Sequence, residues 1–222
     1  ELSGSLRGGY RFDNGLELDG SWLHVDNHSD YDSRSTSGAT GRFAYSEGSQ
    51  QVVGGRARFT PLDAWRVTLQ AGHSEDKADN FRDGAFYSRF DTRRDTFGWQ
   101  NDFSLGGEQL ITLGFDYQQD SIEVSDDYAV DSRDNKGVYG QYQARFGRHG
   151  VVAGVRRDDN EQFGHHDTGN LGWSYDLRDD LVLSASYGTA FKAPTFNDLY
   201  APDTGFTAGN PDLAPEESQS YE

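Results

Sequence analysis

"QLITLGFDYQ", Gln109 to Gln118, alternates without a break. Ile111, Leu113, Phe115 and Tyr117 fall on one side of an extended chain, and Thr112, Gly114, Asp116 and Gln118 on the other. Successive side chains of a strand point to opposite faces, so the segment reads as a strand with one apolar face and one polar or small face. The same period of two returns in Trp65–Gly72, Leu171–Leu177 and Leu181–Phe191. In the last of these Leu181, Leu183, Ala185, Tyr187 and Phe191 share the apolar side, against Ser184, Ser186, Gly188 and Ala190. Period two is the dominant signal of the chain, and no helix reads convincingly.

The connections carry a second rhythm. Short turns are expected at Asp13–Gly15, Thr60–Ala64, Leu105–Glu108, Gly147–Gly150 and Arg178–Asp180, where Asn-Gly and Gly-Gly supply positive φ. Longer polar loops are expected between them, near 26–48, 73–89, 120–134, 158–166 and 192–216. Short and long connections thus take turns along about ten strands, and SQSYE at 218–222 opens an eleventh. A soluble sandwich does not require that rhythm, whereas a transmembrane barrel has short turns at one end and long loops at the other. Tyr10, Phe12, Phe59, Trp65, Phe103, Phe146 and Trp173 flank the short turns, where an interfacial girdle belongs. Gly54, Gly72, Gly114, Gly154 and Gly188 share the polar face with Arg56, Arg58, Arg66, Arg145 and Arg156, which suits a wide, filled lumen. The fold class expected is all-β: an antiparallel transmembrane β-barrel, with about ten strands of a larger one.

Composition narrows the function classes. The 222 residues carry a net charge of −17, which disfavours nucleic acid as a partner. Mean hydropathy is −0.83, and no run approaches the ~20 apolar residues of a membrane helix. With no cysteine there is no disulfide, thiolate metal site or Cys nucleophile. The absence of methionine and of a leader at Glu1 reads as an excerpt of a longer precursor.

The end of the chain is its most specific text. SYGTAFKAPTFNDLY, 186–200, is a strand that breaks into a lysine, prolines and aromatics, and GNPDLAPEES, 209–218, follows it. Tyr187, Gly188, Phe191, Lys192, Ala193 and Pro194, then Leu199 and Tyr200, then Gly209, Asn210, Pro211, Leu213, Pro215 and Glu216 resemble the signature of TonB-dependent outer-membrane receptors. RRDDNEQFGHHDTGNLGWSY, 156–175, is similar to the cobalamin (vitamin B12) receptors of that family at Asp158, Asp159, Asn160, Gln162, Phe163, Gly164 and His166. Looser similarity extends to 59–65 and 90–103. The resemblance implies a barrel of roughly 22 strands in the outer membrane of a Gram-negative bacterium, closed by a plug. Residues 1–222 are then part of that barrel domain, with the plug and the last strands outside them. It implies uptake of a scarce nutrient, cobalamin or else a ferric siderophore, with energy from a TonB complex that contacts the plug. The chain itself is then expected to sit in a lipid bilayer. A passive porin has no need of the 209–216 signature.

Within the long last loop, Phe196, Tyr200, Phe206 and Thr207 are the expected ligand contacts, because loops on a rigid scaffold often bind. Pro194, Pro211 and Pro215 also suit the exit from a ladder and the restart of a strand. The resemblance further implies calcium. Asp26, Asp30 and Asp32 are acidic residues of one expected loop, and Asp91 opens the Asp-Thr-Arg-Arg run 91–94 that is similar to the family's calcium-binding stretch. Calcium demands 6–8 oxygen ligands, and acidic loop residues are otherwise simply solvated. His165 and His166 are neighbours on a strand, point to opposite faces, and cannot share a metal there. Ser186 lies on the polar face without a nameable base, so transport rather than turnover chemistry is expected.

Overall fold

The alternating stretch at 109–118 lies in a strand of sixteen residues, Gln109–Val124, inside one antiparallel sheet of eleven. The computed structural model describes residues 2–33, 42–205 and 207–222, with the backbone alone at Ser33 and Arg42. In chain order the strands are β1 (Leu2–Arg11), β2 (Glu17–Ser33), β3 (Arg42–Leu62), β4 (Trp65–Arg82), β5 (Ala85–Ser104), β6 (Gln109–Val124), β7 (Ser132–Phe146), β8 (His149–Asn160), β9 (Gly164–Arg178) and β10 (Leu181–Lys192). A short helix α1 (Phe196–Tyr200) and strand β11 (Glu216–Tyr221) complete the order. Each strand pairs with its chain neighbours, from β1 to β11 in sequence. Among the described residues, β1 pairs only with β2 and β11 only with β10.

Register distributes the side chains between two faces. Paired residues share a face, so one row crosses the strands as Asp19, Arg56, Gln70, Gly98, Asp116, Gly137, Asp158 and His166. This is the concave, polar face. Its charges are neutralised across and along strands: Arg56 donates to Asp19 at 2.9 Å, Arg94 to Asp120 at 2.6 Å, and Arg156 to Asp158 on its own strand at 2.8 Å and to Asp116 at 2.7 Å. Tyr139 lies over Gly114 and donates to Gln100 at 3.2 Å, and a methyl at Gly114 would collide with that ring.

The opposite face is apolar and exposed, with Leu6, Trp22, Leu69, Trp99, Leu113 and Leu171 open on it. The band ends sharply. Along each strand it gives way to a polar residue, from Trp22 to His24, Ala71 to His73, Phe97 to Asp95, Tyr117 to Gln119, Val138 to Lys136 and Val155 to Arg157. Four outward residues per strand fit a bilayer crossing by strands of ~9–11 residues tilted at ~45°. The tilt is visible in the register. The outward row that is apolar at Leu18, Leu69, Trp99 and Phe115 has climbed to the charged pair Arg157–Asp167 by β8 and β9. Such stagger is what a closing barrel requires. At the turn end, Trp65 stacks on Phe103 at 5.8 Å and Tyr10 meets Phe12 at 4.7 Å, giving the expected girdle.

Three expectations need correction. The loops expected at 26–48 and 73–89 are mostly strand: β2 and β3 stay paired to Ser33↔Arg42, and β4 and β5 to Arg82↔Ala85. Above the apolar band both faces meet water, so the ladder continues after the hydrophobic alternation has gone. Phe191 does not stay on the apolar side. The β9–β10 ladder ends at Asn170↔Gly188, and beyond it the Phe191 ring stacks on His166 at 4.3 Å. Finally, residues 196–200 form a helix where none was expected.

Candidate functional site

The long connection from β10 to β11 folds back over the concave face, and α1 is the piece that reaches it. Its start is written in Thr195-Phe-Asn-Asp198. The Thr195 hydroxyl accepts from the Asp198 amide at 3.2 Å, and the Asp198 carboxylate accepts from the Thr195 amide at 2.8 Å. This reciprocal capping satisfies backbone donors that a helix start leaves open. The same hydrogen bonds from Thr195 hold the Asp198 carboxyl below the usual aspartate range. Five residues are too few to be helical on their own, so tertiary contact must hold them.

That contact is apolar first. Phe196 is 6% exposed and Leu199 1%, and each buried side chain of this size contributes about 1.5–3 kcal/mol. Polar contacts from three other segments then fix the helix. From β7, Arg133 Nη1 donates to the Pro194 carbonyl at 2.7 Å, with its guanidinium 4.9 Å above the Phe196 ring. From the β6–β7 loop, the Tyr128 hydroxyl donates to Asn197 Oδ1 at 2.7 Å. Burial, with Asp126 nearby, pushes the Tyr128 hydroxyl pKa up. From the β8–β9 turn, Gln162 Nε2 donates to the Tyr200 hydroxyl.

The return limb closes on the helix. Gly209 N donates to Ala201 O at 2.8 Å and Asn210 N to Asp198 O at 2.8 Å. A Cβ at Gly209 would lie 2.6 Å from Ala201 N and from the Leu199 carbonyl, so only glycine allows this approach. Asn210 caps the next turn by accepting from Asp212 N at 3.1 Å, exposed Pro211 lies within that turn, and Pro215 precedes β11.

The expected contacts therefore separate. Phe196 and Tyr200 face inward on α1, whereas Thr207 is exposed at the loop tip, bonded to Thr204. Phe206 lies outside the described residues. Of the signature residues, Tyr187 packs 4.9 Å from Tyr221, Gly188 faces Ser220, and Lys192 pairs with Glu216 at the top of the β10–β11 ladder. Ala193 borders a cavity, Pro194 is buried, and Leu213 is exposed.

Two cavities adjoin the 191–196 segment that leads into α1. The larger, about 460 Å³, is walled by β3–β6 and includes Gln50, Ser74, Thr92, Arg94, Arg133 and Phe196. The smaller, about 200 Å³, includes Arg94, Gln118, Arg133, Asn160 and Phe191. A third concavity of about 680 Å³, lined by small residues such as Gly150, Gly172, Ser174 and Ser186, lies at the turn end of β7–β10 and away from α1.

The acidic residues expected to hold calcium are not brought together. Asp26 and Asp30 sit on the outward face of β2, at 3.1 Å from His24 and His28 respectively, and Asp32 follows on the same face. Asp91 lies on β5 opposite Lys77, with β3 and β4 between it and β2, roughly 14 Å at ~4.8 Å per strand. Asp91 is 3% exposed and its Oδ1 has no hydrogen-bond partner. Among the described residues no group of three or more acidic or histidine side chains is placed to hold a metal ion. As a set, these four residues do not meet calcium's demand for 6–8 oxygens.

Residues 2–222 match the family described as TonB dependent receptor-like, beta-barrel. The chain belongs to that family. The vitamin B12 transporter BtuB of Photobacterium profundum is 37% identical over 172 residues, covering 71% of this chain and 28% of that protein. BtuB of Vibrio vulnificus is 38% identical over 135 residues, covering 58% and 21%. The chain thus spans about a quarter of the length of these relatives. Among solved structures, the FrpB iron transporter of Neisseria meningitidis superposes with a TM-score of 0.69 at 12% identity, over 86% of this chain and 37% of that one. The ferric enterobactin receptor PfeA of Pseudomonas aeruginosa gives 0.69 at 15%, over 89% and 34%. At such identities these two likenesses concern the fold alone.

Within this TonB-dependent barrel wall, the residues that hold α1 went unnoticed in the sequence. Arg133 and Tyr128 belong to no motif and are brought in by topology. Only the Thr195-x-x-Asp198 spacing gave a local signal. Gln162, Asn160 and Asp158, by contrast, lie in the tract similar to cobalamin receptors, and that tract forms the turn on which α1 rests. Asn160 Oδ1 accepts from Gln162 N at 3.1 Å and Phe163 N at 3.2 Å, and Asp158 accepts from Asn135 at 2.7 Å.

Proposed function

We propose that this chain forms the wall and part of the extracellular mouth of a Gram-negative outer-membrane importer that binds cobalamin and moves it inward with energy from TonB. The observation that carries the reading is the 37% identity over 172 residues to a vitamin B12 transporter. Cobalamin is large, amide-rich and carries an aromatic base. Phe196, Tyr200, Gln162 and Asn160 around the mouth cavities offer rings and amides of matching chemistry. The chain supplies binding and enclosure, not turnover. TonB acts through a plug that fills the barrel, and the apolar band holds the wall in lipid.

The test is binding of labelled cyanocobalamin to outer membranes that carry the full-length receptor, with ferric siderophores as competitors. Saturable binding that siderophores leave unchanged supports the reading. Binding of a ferric siderophore in place of cyanocobalamin replaces the substrate and retains the TonB-dependent importer. A chelator arm tests calcium in the same assay: lost affinity on chelation, restored by calcium alone, brings the acidic outer rim at Asp26, Asp30 and Asp91 into the binding process.

A further inference from the structure

The arginines that line the two cavities beside α1 are neutralised by carboxylates at hydrogen-bond distance, with one exception. Arg94 holds Asp120 through both Nε and Nη2, at 2.6 and 3.2 Å, and Gln118 adds a third bond to the same carboxylate at 2.9 Å. Arg156 is bound by Asp158 and Asp116. Arg133 stands directly across the ladder from Asp120, whose oxygens are thus already engaged. Among the described residues Arg133 has no ion-pair partner. Its hydrogen bonds leave from Nη1 alone, to Pro194 O at 2.7 Å and Gln162 Oε1 at 3.3 Å. The Phe196 ring covers one face of the guanidinium. Nε and Nη2 donate to nothing among the described residues, and Arg133 borders both cavities beside the 191–196 segment.

A guanidinium edge with two parallel N–H donors matches the two oxygens of a carboxylate or phosphate ester, and a partly desolvated site strengthens that bond. We propose that the Nε–Nη2 edge of Arg133 is a subsite for an anionic ester group of the transported nutrient. This rests on the cobalamin reading, which supplies such a group: the phosphodiester that links the corrin ring to its nucleotide base. Arg133 is then both a strut for α1, through Nη1 and its stacked face, and a contact for ligand through its remaining edge. The cost of leaving a half-buried cation without a carboxylate is offset when the ligand brings the negative charge.

The experiment uses the full-length receptor in outer membranes and two probes: cyanocobalamin, and dicyanocobinamide, which keeps the corrin ring and lacks the phosphodiester and base. Arg133→Gln is expected to weaken cyanocobalamin by about tenfold or more, the scale of one lost charge-assisted hydrogen bond. Cobinamide should lose only what the weakened strut costs, so the loss for cyanocobalamin should exceed the loss for cobinamide by about tenfold. Phe196→Ala, which loosens α1 and keeps the cation, should weaken both probes alike. Arg133→Lys, which keeps the charge and loses the fork, should fall between wild type and Arg133→Gln for cyanocobalamin alone. Equal losses of both probes in Arg133→Gln, or no loss of either, overturn the subsite and leave Arg133 a strut. Failure of the wild type to bind cyanocobalamin overturns the proposed function and the subsite with it. The two failures are therefore distinguishable.

Discussion

The β2–β6 wall and the β7–β11 wall solve the same problem by different means. Both must rise from lipid into water on the extracellular side. The first does so by extending: β3 and β5 run 21 and 20 residues, and their ladders continue with ion pairs such as Arg89–Asp79 at 2.7 Å and Arg93–Glu75 at 2.8 Å on the outward face. The second stops early. β8 and β10 have 12 residues each, and the chain saved in strand is spent on one long connection that folds inward as α1. An extended ladder satisfies its own backbone and needs no particular side chains. A folded loop must be held by specific residues, so the second wall is where ligand chemistry and sensitivity to substitution should concentrate.

That contrast is open to attack, and the sharpest attack is on the membrane band itself. Leu69→Arg, on the outward face at mid-band, should destabilise the barrel by about 2–4 kcal/mol, whereas His73→Arg, two outward positions higher, should fall near zero. Chemical unfolding in bilayers reads both, and equal costs would mean that the band does not end between them. Next comes the helix. Leu199→Ala should cost the docked loop about 2–3 kcal/mol, at the lower end for a buried leucine because the lumen side can relax. Limited proteolysis should then cut between 192 and 216 while the strands stay protected. Gly209→Ala tests the close approach: about 1–2 kcal/mol against the loop for a forced overlap with backbone, compared with Gly8→Ala, which meets nothing within 4 Å and should be silent.

The smallest expected effect is acid sensitivity. The Asp198 carboxyl is lowered by its bonds to Thr195, so the unfolded loop binds more protons than the docked one at acid pH. Its stabilisation is complete above the ordinary aspartate pKa and is lost as pH falls through the lowered value. Protection factors at 195–201, with the intrinsic pH dependence of amide exchange divided out, should therefore fall on acidification in the wild type and lose that dependence in Asp198→Asn. An unchanged pH profile in the variant would show that the cap is not what responds.

Legibility follows the same division. Where lipid lies on one side and the lumen on the other, every strand announced itself, because a period-two contrast is enforced residue by residue. The short turns at 105–108, 147–150 and 178–180 were legible for the same reason, since the contrast stops and glycine or charge takes over. Higher up, Asp26, Asp30 and Glu75 sit in strands as regular as the rest, yet they read as loop because water on both faces removes the contrast. The helix was hidden for a different reason. Its five residues are apolar at Phe196 and Leu199, but the surface they cover comes from β6, β7 and the β8–β9 turn, far away in sequence. Arg133 gives no local sign at all. Its role arises because Arg94, two strands away, has already claimed Asp120.

The long ladders of β2–β6 have one more consequence. From His73 to Arg82 the strand climbs about 30 Å at ~3.3 Å per residue, or roughly 20 Å of height when tilted at ~45°. The rim therefore stands well clear of the headgroup layer on that side. A dissolved molecule meets protein before it meets lipid, and it meets the tall wall first. The effective target for diffusional capture is then the broad inner slope leading down to α1, wider than the passage it serves. Arrival rate should scale with the height of that slope, and selectivity with the short wall opposite.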